Sequence, residues 1–276
     1  MRITLFGTAA AEGFPAMFCE CPTCVRARNE GGKSLRTRSD ALIDDSLLID
    51  LGPDLLTHTL YSGLSLIKVT DVLITHSHED HLFPYNIAYR TEVCSKIKDK
   101  KPMNIYCTKA SFDSLCNIKN ICGIDESIVK INEIKPFETF FAGRYKITPL
   151  KANHSKNTNP IIYLINDRDK TFFYSTDTGV FPDETWKYLE KNNIYIDAMA
   201  IDCTAMLLKN WREGHLGLDT DVEVVNRLKK IKVADEFTKI IVHHFSHNGG
   251  ATHSEMVEIS KQYGYDVAFD GMKIEI

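Results

Sequence analysis

The chain has 276 residues, 43% hydrophobic and 25% charged, with a formal net charge of −4. This composition is ordinary for a soluble globular protein with a sizeable core, and it gives no global basic footprint for bulk attraction to nucleic acid. No apolar run approaches the ~18 residues of a membrane span, and Met1–Gly7 is too short and too strand-like for a signal peptide. A cytoplasmic protein without membrane contact is therefore expected. The length permits one large α/β domain or two small ones. The absence of repeats, low-complexity tracts and Pro/Ser-rich linkers favours a single domain over residues 1–276.

The first strand leads into Gly7-Thr8-Ala9-Ala10-Ala11-Glu12-Gly13-Phe14-Pro15, where small residues let backbone approach a ligand or a neighbouring strand. Cys19, Cys21 and Cys24 then form a C-x-C-x-x-C cluster. In a reducing compartment this reads as three thiolate ligands of a tetrahedral structural zinc, with the fourth ligand supplied from elsewhere. A redox pair needs no third cysteine two residues earlier. The other cysteines (Cys94, Cys107, Cys116, Cys122, Cys203) read as core. Residues 26–40, with Arg26, Arg28, Lys33, Arg36 and Arg38, read as a solvated mobile loop, with substrate-phosphate contact as the sharper alternative. Ala41–Asp50 predicts two strands around a tight turn, and a helix follows from Pro53 to about Tyr61.

Asp71-Val72-Leu73-Ile74 predicts a buried strand that delivers Thr75-His76-Ser77-His78-Glu79-Asp80-His81. Imidazole and carboxylate are ligands that Zn²⁺ and Mn²⁺ accept at neutral pH. His76 and His78, two apart, can point the same way from extended backbone. Asp80 and His81 can face a neighbouring ion, so the spacing suggests two adjacent metals. Behind the motif, Phe83–Lys98 is helix-compatible, Ile105–Cys107 reads as a strand and Ser111–Ile121 as a helix. Strands are expected at 128–134 and 145–151, the latter delivering His154 as a further ligand. A hairpin over 161–174 ends at Asp177, a carboxylate beside a glycine that can serve two ions. A strand over 195–202, a turn-rich stretch with His215, and a helix over 219–230 capped by Asp219 or Thr220 follow. A strand over 237–243 ends in His243-His244-Phe245-Ser246-His247. A helix starting at His253 or Ser254 runs to Tyr263, and Asp270-Gly271 signals a closing two-residue hairpin.

His-x-His-x-Asp-His after an apolar strand resembles the signature of the metallo-β-lactamase fold. That resemblance implies a four-layer αβ/βα sandwich, an α/β architecture with its metals at one edge. The Gly-Thr…Glu-Gly-Phe-Pro loop, the cysteine cluster, the His motif, Asp177, His244-x-x-His247 and the closing Phe-Asp-Gly-Met together resemble the PhnP phosphodiesterase family, whose substrates are cyclic ribose phosphates. The resemblance implies one active-site ion held by His76, His78 and His154, and a second held by Asp80, His81 and His244. Asp177 would bridge the two, and either Mn²⁺ or Zn²⁺ would serve. It implies a structural Zn²⁺ on Cys19, Cys21, Cys24 and His247, and makes His215 the general acid, alongside Asp80 in the catalytic set. His243 competes with His244, and the three-residue spacing to His247 selects His244. His215 departs from the family in its surroundings, His-Leu-Gly-Leu-Asp in place of His-Asn-Asp-Leu.

Two cations ~3.5–4 Å apart can generate hydroxide from water and neutralise a phosphate under attack, which makes hydrolysis of a small phosphodiester the expected reaction. A tRNA 3′-processing ribonuclease would carry an added Gly/Pro-rich basic arm that is not found, so nucleic acid is not the expected partner. The pyrroloquinoline quinone biosynthesis protein B shares the cysteine cluster, but its metal motif is usually incomplete. A non-catalytic zinc-binding protein would not need every ligand. A homodimer is compatible with the sequence.

Overall fold

The computed structural model describes residues 1–99 and 101–276. Fourteen strands form two seven-stranded mixed sheets. The first is built from β1 (Arg2–Gly7), β2 (Asp40–Ile43), β3 (Leu47–Ile49), β4 (Asp71–Leu73), β5 (Met103–Cys107), β6 (Val129–Glu133) and β14 (Met272–Glu275), in the order β14-β1-β2-β3-β4-β5-β6. The second holds β7 (Phe140–Ala142), β8 (Tyr145–Lys151), β9 (Ile161–Asn166), β10 (Thr171–Ser175), β11 (Ala198–Asp202), β12 (Lys239–His243) and β13 (Asp266–Val267), ordered β13-β12-β11-β10-β9-β8-β7. Each sheet is antiparallel through one half and parallel through the other.

The inner strands β2, β3, β10 and β11 are buried along their whole length because both faces are covered. In β2 and β3, Ala41, Ile43, Leu47 and Ile49 join the larger core with Ile147, Tyr163, Ile165 and Phe173 of the opposite sheet. Leu42 and Leu48 alternate outward into a second core beneath α2 (Leu55–Tyr61) and α3 (Lys109–Ile121), where Leu55, Leu115 and Ile118 cover them. Trp186 and Leu189 of α4 (Asp183–Lys191), Val224, Val225 and Leu228 of α5 (Leu218–Lys230) and Met256 of α6 (His253–Ser260) extend the larger core. This is the expected four-layer sandwich, two mixed sheets flanked by helices. No helix among the described residues is long and apolar enough to cross a membrane.

Five local expectations are overturned. Asp270-Gly271 joins no hairpin, because β13 and β14 lie in different sheets. Asp270 instead accepts hydrogen bonds from Thr37 N at 2.6 Å and from the hydroxyls of Thr37 and Thr8 at 2.6 and 2.7 Å, so it ties the crossover to the first loop. The basic stretch 26–40 is not a free loop, and none of its five cations lines the pocket that holds His78 and Asp177. It begins inside α1 (Pro22–Glu30), and its arginines are spent on the body of the protein. Arg26 pairs with Glu255, Arg28 holds the carbonyls of Cys19 and Ala16, and Arg38 grips Asp54 through both guanidinium arms. Arg36 is buried over the Phe245 ring. The span 83–98 forms only a 3₁₀ segment, Pro84–Arg90, because Ile87 is its one buried side chain and Val93 is 94% exposed, leaving no apolar stripe to hold a longer helix. The α5 cap is Gly217, whose N–H is received by Thr220 Oγ1 at 2.9 Å; a Cβ at Gly217 would lie 2.6 Å from the Leu208 carbonyl oxygen. Cys94 is exposed and Cys116 and Cys122 are half-buried, so of the five scattered cysteines only Cys107 and Cys203 are fully in the core.

Candidate metal centre

The C-terminal ends of β3, β4, β8, β10, β11 and β12 meet at one edge of the sandwich, where open α/β sheets place their ligands. The loop after β4 closes against the end of β3. Leu51 N–H donates to the His81 carbonyl at 2.8 Å, and Gly52 is obligatory because a Cβ there would lie 2.5 Å from the Asp80 carbonyl oxygen. Asp177 and His244 both sit in the left-handed region, at φ 56° and 62°. Such backbone is uncommon for residues other than glycine and is concentrated at functional sites.

Two donor groups result, each with its ligand atoms within 4.8 Å of one another: His76, His78, His154 and Asp177, and Asp80, His81, Asp177 and His244. In the first, His76 Nε2 lies 2.9 Å from His78 Nδ1 and 3.2 Å from Asp177 Oδ2, and His154 Nε2 lies 3.2 Å from His78 Nδ1. In the second, His81 Nε2 lies 2.8 Å from Asp177 Oδ2, 3.2 Å from Asp80 Oδ2 and 3.3 Å from His244 Nε2. Asp177 thus belongs to both groups, as the sequence suggested. His243 belongs to neither. It is buried behind the site against the Tyr174 ring, and burial pushes its pKa far down.

The donors fit divalent cations, because their outer contacts set the ligand tautomer. His81 Nδ1–H donates to Asp50 at 2.6 Å and His154 Nδ1–H donates to the Gly214 carbonyl at 2.9 Å, which turns both Nε2 atoms towards the group. Burial, reinforced for His76 by the nearby His81, drives the pKa of His76 well down, and burial also lowers that of His154, so both stay neutral and able to coordinate. Burial opposes ionisation of Asp177 and Asp80, yet the adjacent His81 and His244 outweigh it and hold both carboxyls far below the usual range. Asp177 Oδ1 is buried without a well-aligned hydrogen bond. Such concentrated negative charge calls for cations.

A further carboxylate, Asp202, organises the rim and was not singled out from sequence. It accepts from Asp177 N, Thr204 N and Leu216 N, each at 3.0 Å, and from His215 Nδ1 at 3.1 Å. Asp177, Asp202, His215 and His244 also lie close enough to share an ion. The saturation of Asp202 by backbone N–H groups marks it instead as the residue that orients His215. Burial lowers the His215 pKa, but the Asp202 charge more than offsets it and the pKa lies above its ordinary value. Asp50 was likewise missed, and so were Thr75, which donates to it, and Thr204, whose hydroxyl lies 2.8 Å from His244 Nδ1. Asp50 directly follows an apolar strand and precedes Leu-Gly, which was the available signal.

About fifteen residues line a cleft of about 450 Å³ above these groups, among them Glu12, His78, Asp80, His154, Asp177 and His215. On its far side, Cys19, Cys21, Cys24 and His247 converge, with His247 Nδ1 at 3.4 Å from both Cys19 Sγ and Cys21 Sγ. N–H groups of Cys21 and Cys24 point at the sulfurs of Cys19 and Cys21, each at 3.4 Å. Burial raises the Cys21 pKa, but His247 and the Cys24 N–H bring it down to about 6, whereas burial and its thiol neighbours push Cys24 up to about 12. Three sulfurs and one imidazole are a donor set that tetrahedral zinc takes.

A beta-lactamase superfamily domain model matches residues 46–245. The chain belongs to that superfamily. Its fold is the metallo-β-lactamase fold, and several solved members share it. A diphosphatase of the PhnP family has 22% identity and a TM-score of 0.74, with 100% of this chain and 97% of that one covered. Zinc-bound PqqB from Methylobacterium extorquens has 18% identity and a TM-score of 0.76, with both chains fully covered. Human tRNase Z, short form, has 17% identity and a TM-score of 0.67, covering 100% of this chain and 99% of that one. Among curated proteins, coenzyme PQQ synthesis protein B of Acinetobacter baumannii (strain ACICU) is 23% identical over an alignment of 319 positions that covers all of both chains. A superfamily with hydrolase members and these His/Asp clusters support the use of divalent metal by this chain.

Proposed function

We propose that this superfamily member is a binuclear metal-dependent phosphodiesterase acting on a small phosphodiester such as a ribose cyclic phosphate. The observation that carries the reading is Asp177, shared by two donor groups whose outer contacts keep the imidazoles in ligand form. His76, His78, His154 and Asp177 would hold one ion, and Asp80, His81, His244 and Asp177 the other, Mn²⁺ or Zn²⁺. When bound, the pair supplies Lewis acidity for the phosphate and a nucleophilic water. Water adds to phosphorus and the P–O bond to the leaving oxygen breaks, giving a monoester and a freed hydroxyl, which stays on the same molecule when the diester is cyclic and leaves as an alcohol when it is linear. His215 delivers the proton the leaving oxygen needs. Asp202 holds its Nδ1–H, so Nε2 is the nitrogen left for the substrate. The raised pKa of His215 keeps that proton available near neutral pH.

Cys19, Cys21, Cys24 and His247 would hold a structural Zn²⁺. The reduced thiols this needs suit a cytoplasmic protein, with residues 1–276 acting as one domain. A PhnP-family diphosphatase among the full-length structural neighbours supports the phosphodiesterase reading. A role in coenzyme PQQ synthesis is the second reading, favoured by the curated relatives that align along the whole chain. Phosphorus NMR of the metal-loaded protein with a ribose cyclic phosphate, a linear diester and a tRNA precursor tests the proposal. Monoester should form from the first two and not from the third. Turnover of no diester would refute it.

A further inference from the structure

One wall of the cleft carries no charge. Leu208 and Trp211 line it at 40% and 45% exposure, next to His215. No Lys or Arg lines the cleft among the described residues, whereas Glu12, Asp80 and Asp177 do.

The wall is built rather than incidental. Leu207 N–H donates to the Gly249 carbonyl at 3.1 Å and Leu208 N–H to the Ala205 carbonyl at 2.8 Å. The Trp211 carbonyl accepts from Thr220 Oγ1 at 2.8 Å, Asn210 N–H donates to Asp219 at 3.0 Å, and Val180 N–H donates to the Arg212 carbonyl at 2.9 Å. Two glycines let the segment pack this closely. A Cβ on Gly179 would meet the Arg212 carbonyl oxygen at 2.1 Å, and one on Gly217 the Leu208 carbonyl oxygen at 2.6 Å. Of the two cations on the segment, Arg212 is drawn away to Glu223 at 2.6 Å, and Lys209 is not among the residues that line the cleft.

Resting on the phosphodiesterase reading, we infer that Trp211 and Leu208 form the subsite for the non-phosphate arm of the substrate, and that this arm is uncharged and planar, an aryl group or a nucleobase. A second phosphate would find no guanidinium or ammonium on the cleft wall to receive it. A flat ring would find an indole face, a contact that tolerates any aromatic because each has a π-surface. The whole cleft, about 450 Å³, runs from the His/Asp groups to Trp211, so one small ligand can reach both.

The test separates ring recognition from turnover by using ligands that cannot be hydrolysed. Isothermal titration of the metal-loaded protein with phenylphosphonate and methylphosphonate gives the affinity ratio that the ring confers. It should be roughly 5- to 100-fold in favour of phenyl, the range that ring stacking supplies. Of the two tryptophans, Trp186 is buried, so phenylphosphonate should also quench the emission of Trp211. Trp211→Ala should collapse the ratio towards one, and Trp211→Phe should restore most of it. A wild-type ratio near one, or a ratio unchanged in Trp211→Ala, overturns the subsite. If the ratio behaves as stated while no diester is hydrolysed, the subsite stands and the phosphodiesterase reading falls. If diesters are hydrolysed with an unchanged ratio, the subsite falls alone.

Discussion

Replacing Asp50 with asparagine tests the claim that a residue contacting no substrate sets the chemistry of the second donor group. The carboxylate is fully buried and spends both oxygens: Oδ2 on His81 Nδ1–H at 2.6 Å, Oδ1 on Thr75 N–H at 2.8 Å, with the Thr75 hydroxyl 3.0 Å from each. An amide has one acceptor oxygen and a nitrogen that only donates. If that nitrogen faces His81, the imidazole must move its proton to Nε2, the atom 2.8 Å from Asp177 and needed for coordination. If it faces Thr75, two donors meet head-on. Either way one buried donor is left unpaired, at a cost of about 1–3 kcal/mol. At about 1.4 kcal/mol per tenfold that is roughly 5- to 150-fold in affinity, which overlaps the roughly 10- to 100-fold cost usual for losing such an outer partner. Competition between the protein and a chromogenic chelator reads the affinity of each group. Asp50→Asn should weaken the Asp80/His81/His244 group by that factor and leave the His76/His78/His154 group unchanged. Equal affinities in variant and wild type at both groups would refute the tautomer argument.

Three further outcomes are expected. His215→Ala should depress hydrolysis of an alkyl or ribose-like diester by roughly 10²–10⁴-fold and spare a nitrophenyl diester, whose leaving group departs without a proton; equal losses in the two rates would make His215 structural. Cys21→Ser should lose one zinc per chain by mass spectrometry and lower the melting temperature, since such sites contribute folding energy outright. Cys21 is also the N-cap of α1, accepting from Cys24 N–H, and serine is a good N-cap, so lost capping would not account for the drop. Burial raises the Asp54 pKa, but the two-armed contact with Arg38 outweighs it and holds that pKa below 3.8. A depressed folded-state pKa means the contribution is present above the unfolded value and is lost as pH falls through the folded one. The stability difference between wild type and Asp54→Asn should therefore be constant from neutral pH down to about 4 and vanish below it, as followed by denaturant unfolding across pH; a difference that persists well below that window would overturn the assignment.

The seven members of the two donor groups were legible because coordination chemistry leaves its mark locally. His76, His78, Asp80 and His81 fall within six consecutive positions, and His154, Asp177 and His244 each follow an apolar run that reads as a strand. The supporting carboxylates were not legible, because their partners are set by pairing between strands. Asp50 reaches Thr75 only because β3 and β4 run parallel with Ile49 opposite Leu73, and Asp202 reaches Asp177 only because β10 and β11 pair with Ser175 opposite Ile201. The false hairpin at Asp270-Gly271 has the same origin. A local turn signal could not reveal that the strands on either side belong to different sheets, or that the carboxylate was committed to Thr8 and Thr37. The basic stretch failed for a different reason. Five cations in sequence look solvated until the acceptors that hold Arg26, Arg28 and Arg38, namely Glu255, Asp54 and the Ala16 and Cys19 carbonyls, are brought near by the fold.

The position of the cysteine group explains why a sandwich with so large a core would need a second kind of metal. The segment from Ala10 to Cys21 is buried at Ala10, Phe14 and Ala16, but its later part is not: Phe18 is 98% exposed and Met17 74%, and two backbone hydrogen bonds tie the start of the segment to the strand end that carries His244. Those contacts are Phe245 N–H to the Thr8 carbonyl at 2.9 Å and Ala10 N–H to the Phe245 carbonyl at 3.0 Å. Yet this segment supplies Glu12 to the cleft, and Glu12 receives the Ser246 hydroxyl at 2.5 Å. On the proposed reading, His244 and His247 anchor one bend to two metal groups, so the zinc at Cys19, Cys21, Cys24 and His247 does for this rim what apolar burial does elsewhere. It fixes the wall facing Trp211 relative to the ligand His244, and with it the width of the cleft between them.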